Sequence, residues 1–128
     1  MTKLTRQQLL ADLKRLLRRP DTILTERKLR RCGHATWAEE SDVTAPSTLH
    51  DLRITFDSRR DGRVPVVIHE LLHAYCSIHY KFDELFHTEI EEQIIRALER
   101  ELFDWLEDHH DRLSEWDRLI TEKLASSK

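Results

Sequence analysis

The stretch V-P-V-V-I-H-E-L-L-H-A-Y, Val64 to Tyr75, sets His69 and His73 four residues apart around Glu70, inside a run that is otherwise apolar. On a helix, at about 100° per residue, the two histidines fall within about 40° of each other, with Val66, Cys76 and Tyr80 nearby. Val67, Leu71, Ala74, Tyr75 and Ile78 cover the opposite side. A helix that is apolar nearly all round is buried, so its titratable side chains need a partner inside the fold. Two imidazoles at i and i+4 project from one face at a separation that lets both bind one tetrahedral Zn²⁺, and Glu70 between them can lean toward a metal-bound water.

The chemistry expected of such a site is specific. Zn²⁺ lowers the pKa of its water toward about 7 and polarises a carbonyl as a Lewis acid. Glu70 is then the candidate general base, taking the proton from that water and passing it to the leaving amine. His69 and His73 are the candidate metal ligands.

The rest of the chain sets the frame for this motif. With 128 residues a single domain over 1–128 is expected, its core at 22–108. Apolar residues make up 39% and charged residues 35%, with two Gly and three Pro, a balance that favours a helix-rich globular protein over a disordered or sheet-dominated one. A formal net charge of −3 gives no whole-chain electrostatic argument for nucleic acid. The start M-T-K-L-T-R-Q-Q-L-L lacks the continuous apolar segment of a secretory signal, and no later stretch is long enough to span a bilayer, so a cytoplasmic protein with no membrane partner is expected. Cys32 and Cys76 fit reduced thiols in that compartment.

Along the chain, Leu9, Leu10, Leu13, Leu16 and Leu17 recur at helical spacing, predicting an amphipathic helix over about 5–18 that ends before Pro20. From Thr22 to Arg60 the helical period disappears. Two alternating segments, Ala35 to Glu39 and Leu49 to Asp57, read as strands, the second with Leu52, Ile54 and Phe56 on its buried face and Arg53, Thr55 and Asp57 on the other. D-S-R-R-D-G-R forms a polar turn before a helix over about 64–80, with Pro65 in its first turn. Thr88 is placed to cap a helix over about 89–107, and Ser114 to cap a last one over 114–124. The fold class expected is α+β: an N-terminal helix, a small antiparallel or mixed sheet, the motif helix, then two C-terminal helices.

V-V-I-H-E-L-L-H-A-Y resembles the active-site helix of zincin metallopeptidases, and the minimal form is similar to SprT-like proteases and to small phage and bacterial zincin-like proteins. The resemblance spans roughly Arg31 to Leu106 and implies a minimal zincin-like fold, zinc as cofactor, and a peptide or protein as substrate. It also implies that the strand before the motif helix, Leu52 to Asp57, borders the cleft and pairs with an extended peptide. SprT-like proteases further suggest substrates bound to DNA, although no DNA-binding domain is visible here.

Catalytic zinc usually has a third protein ligand and an open position. His79 has the metzincin spacing, with Cys76 where that pattern has glycine. His87 is the SprT-like candidate, with Thr88 where glycine is expected. Glu91 projects from the centre of the stripe Ile94, Ile95, Leu98, Leu102, Trp105 and Leu106, at capping-box spacing from Thr88. Glu92 lies on the flank, with Glu99 two turns along the same side, and the resemblance to small phage and bacterial proteins favours Glu92. The alternative to an enzyme is a non-catalytic zinc-stabilised helical module that binds a protein partner, a reading that leaves Glu70 without a role.

Overall fold

The computed structural model of the chain describes residues 5–42, 45–79 and 87–127. In chain order the elements are α1 (Arg6–Arg18), β1 (Ile23–Glu26), β2 (Gly33–Asp42), β3 (Ala45–Phe56), α2 (Arg63–His79), α3 (His87–Glu107) and α4 (His110–Ser126). This is an α+β architecture of four helices and one small mixed sheet.

α1 begins at a capping box: the Thr5 hydroxyl accepts from the Gln8 N–H while the Gln8 side chain accepts from the Thr5 N–H. Its five leucines are buried. It stops because Pro20 pushes the preceding Arg19 into an extended conformation.

The sheet has the order β1-β3-β2, with β1 parallel and β2 antiparallel to β3. β1 is a strand that alternation did not reveal: I-L-T-E is four residues long and only Leu24 is buried. The register Leu24↔Ile54 shows what makes it a strand, namely pairing to a neighbour already in place. β3 runs longer than its alternating core, and Leu49 joins Leu52, Ile54 and Phe56 in the interior. The odd step from 49 to 52 follows from Asp51, whose φ of 55° resets the alternation. Its N–H donates to the Asp21 carboxylate.

Two expectations about β3 need correction. Over residues 53–56 both of its edges are taken, by β1 and by β2, so this segment cannot pair with a substrate strand. Asp57 does not face solvent either. The strand ends at Phe56, and the half-turn beyond it directs the Asp57 carboxylate onto the N–H groups of Leu29 and Arg59 and onto the Arg59 guanidinium. The guanidinium, first, and these backbone donors hold the Asp57 carboxyl well below the usual carboxylate range.

The polar turn before α2 closes with Gly62 at φ 89°, a conformation that L side chains rarely adopt, and its N–H donates to the Ser58 carbonyl. Pro65 sits in the first turn of α2, where its missing N–H leaves no bond unmade. α2 is apolar nearly all round because it is packed all round: the sheet lies against one side, and α1, α3 and α4 against the rest. Val67, Ile68, Leu71, Leu72, Ala74 and Cys76 are fully buried. Each such residue contributes about 1.5–3 kcal/mol of transfer free energy when its side chain has the size of Val or Leu.

α3 starts at His87, so Thr88 lies within its first turn rather than ahead of it. α4 starts at His110 and takes in Ser114, which therefore caps nothing. The reason is a tight link at Asp108 and His109: the His109 N–H closes on the Leu106 carbonyl, and its ring stacks on Trp105 with centroids 3.9 Å apart. α4 then seats Trp116 and Ile120 in the core and covers β1, whose Leu24 N–H donates to the Ser127 hydroxyl. No helix among the described residues is long and apolar enough to cross a membrane.

Candidate metal centre

α2 and α3 run antiparallel, so the later histidine of α2 meets the earlier glutamates of α3 and the earlier histidine meets the later one. The Nε2 atoms of His69 and His73 lie 3.2 Å apart, and Glu92 Oε1 stands 3.1 Å from His73 Nε2. Ligand atoms of His69, His73 and Glu92 all fall within 4.8 Å of one another, the one such group found among the described residues. Bonds of about 2.0–2.1 Å at a tetrahedral angle put neighbouring ligand atoms about 3.3 Å apart. Two measured edges of this triangle match that separation.

The opposite nitrogens are also engaged. His69 Nδ1 pairs with the Glu99 carboxylate, and His73 Nδ1 lies 3.2 Å from Glu91 Oε1. A carboxylate accepts and cannot donate, so a ring that gives its Nδ1 proton to the glutamate behind it leaves Nε2 free for a metal. Two imidazole Nε2 atoms and one carboxylate oxygen converge there. The donors, two nitrogens and one carboxylate oxygen, are of the types that bind a divalent metal ion. The residues present thus fit Zn²⁺.

The hydrogen bond that the Glu99 carboxylate accepts from His69 raises the His69 pKa, against the burial that lowers it. Glu70, one residue along, is 6% exposed. Burial pushes its carboxyl pKa up, while His69, His73 and His34 pull it down through their charge. Its carboxylate borders a cleft of about 570 Å³ that is also walled by Cys32, Asp61, Pro65, Val66, His69, Glu99 and Phe103. A carboxyl of raised proton affinity at the wall of an open cleft is suited to take up and return protons.

The structure thus brings together His69, Glu70, His73 and Glu92. Glu91 stands at the Nδ1 side of His73, away from the convergence. Cys76 is buried, and desolvation pushes its thiol up to about 11, so it is a protonated core residue. Tyr75 is buried as well. His79 and His87 end α2 and open α3, and their side chains, like Tyr80, lie outside the described residues. Sequence reasoning placed Glu99 on the Glu92 side of α3 but gave it no role; the seven-residue interval, two helical turns, was the available signal. Phe103, which lines the cleft, and His34, whose charge acts on Glu70, carried no signal, because only tertiary packing brings them there.

No protein-family model, curated protein or solved structure matches this chain.

Proposed function

We propose that this protein is a zinc-dependent peptidase of minimal zincin-like form, with His69, His73 and Glu92 as metal ligands and Glu70 as general base. The observation that carries the reading is the convergence of two Nε2 atoms and the Glu92 carboxylate beside a buried glutamate that lines an open cleft. Zn²⁺ held there supplies the Lewis acidity that activates water and polarises a scissile carbonyl.

The chain's own residues account for the remaining steps. Glu99 and Glu91 hold the two rings in the tautomer that presents Nε2. Glu70 accepts a proton from the attacking water and returns it to the leaving amine, a task favoured by its raised proton affinity. An extended peptide is best accommodated along β2, the outer strand that α4 does not cover, whose first residues lie close enough for His34 to act on Glu70. A purely structural zinc module leaves Glu70 buried at the cleft wall with no hydrogen-bond donor among the described residues, which favours the enzyme.

The test is zinc content by elemental analysis of untagged protein together with hydrolysis of an unstructured labelled protein. The expected outcome is about one zinc per chain and measurable cleavage, with Glu70→Gln keeping the metal and losing about 10²–10⁴ in rate. A folded wild-type protein without zinc would remove the enzyme reading.

A further inference from the structure

The cleft over Glu70 continues past Cys32, which also lines a second cavity of about 300 Å³. That cavity is bounded by Arg30 and Arg31 from the link between β1 and β2 and by Arg59 and Arg60 from the turn before α2. The two segments are tied together at their base. Asp57 accepts from the Leu29 N–H at 3.0 Å and from the Arg59 N–H at 3.0 Å, and its own N–H donates to the Cys32 carbonyl at 2.8 Å. Asp57 also engages the Arg59 guanidinium. Among the described residues no carboxylate lies within ion-pair distance of Arg30, Arg31 or Arg60. In a chain whose formal net charge is −3, three guanidiniums without an ion-pair partner among the described residues are thus held on two cross-linked segments at one end of the cleft.

We infer that this arginine-lined cavity is a subsite for an acidic side chain, Asp or Glu, of the peptide held across Glu70. The inference rests on the peptidase reading. Guanidinium forks bind carboxylates through paired charge-assisted hydrogen bonds, and the cross-links to Asp57 spare the ligand much of the cost of ordering the site. The cavity is small, and the cleft it adjoins is itself acidic, lined by Asp61 and Glu99 as well as Glu70. A long polyanion would run against those carboxylates, whereas a single acidic side chain seated among the arginines would not.

The test uses the zinc-loaded Glu70→Gln protein and a labelled peptide with a central run of three glutamates, against the same peptide with three glutamines, followed by fluorescence anisotropy. The glutamate peptide should bind about tenfold more tightly. The pair Arg31→Glu and Arg60→Glu should remove that preference. The pair Arg6→Glu and Arg18→Glu, the same change of net charge on exposed positions of α1, should leave it. Equal binding of the two peptides overturns the inference, as does a preference that falls equally in both double variants. Displacement of the glutamate peptide by a single-stranded oligonucleotide at lower concentration overturns it in favour of a nucleic-acid site. Because binding is read on protein that is not asked to cleave, a wild-type protein that prefers the acidic peptide but hydrolyses nothing contradicts the peptidase reading and not the subsite.

Discussion

Two pairs of histidines lie among carboxylates in this molecule, and they meet different fates. His69 and His73 sit four apart on α2, half-buried against α3, each ring fixed from behind by a glutamate. His109 and His110 sit side by side where α3 meets α4, among Glu107, Asp108 and Asp111, and all five are exposed. His109 turns its Nδ1 to the Trp105 carbonyl at 2.7 Å and stacks on that indole. The composition of the two neighbourhoods is nearly the same. What differs is spacing and burial: neighbours in sequence on a helix start diverge by about 100° and do not face one partner, whereas an i, i+4 pair facing another helix does.

The largest expected effect separates the pairs directly. His73→Ala should drop zinc content from about one equivalent to near zero, while His109→Ala combined with His110→Ala should leave it unchanged, both read by elemental analysis after desalting. Equal loss in the two variants would erase the distinction drawn here.

A second contrast lies within α2. Leu71, fully buried on the side away from the histidines, should on replacement by Ala cost about 2–5 kcal/mol in denaturant unfolding and leave zinc stoichiometry intact in the folded protein. Metal loss in that variant at full folding would mean that the two sides of the helix are not independent.

Smaller still is the effect expected from the groups behind the rings. Glu99→Gln keeps the shape but removes the charge that orients His69, and zinc affinity measured by chelator competition should weaken about 10–100-fold. An unchanged affinity would reduce Glu99 to a packing residue. At the bottom of the scale, His109→Ala should cost about 1 kcal/mol or less, since it loses one exposed hydrogen bond and one ring contact. A larger loss would show that the link between α3 and α4 depends on that stack.

Much of this arrangement was legible beforehand because periodicity reports burial. The leucines of α1, the alternation of Leu52, Ile54 and Phe56, and the Ile95, Leu102 and Leu106 line of α3 all emerge on the faces that their spacing assigns. β1 was illegible, since four residues with one buried side chain carry no period and become a strand only by pairing with β3. The position of β3 between two neighbours was equally hidden, because alternation shows which face is buried and says nothing of which edges are occupied. Asp57 followed the strand pattern in sequence and departed from it in space once the chain turned.

The candidate centre divides along the same line. That His69 and His73 share a face, with Glu70 between them, is a property of one helix, fixed by 3.6 residues per turn within five consecutive residues. Which of Glu91, Glu92 and Glu99 approaches which nitrogen depends on how far α3 slides and rotates against α2. One residue along α3 moves a carboxylate about 1.5 Å and turns it about 100°, so the packing of Ile95 and Leu102 into the core selects Glu92 for the Nε2 side and sends Glu91 and Glu99 to the Nδ1 side. Local geometry placed the histidines, and only the contact between two helices chose their partners.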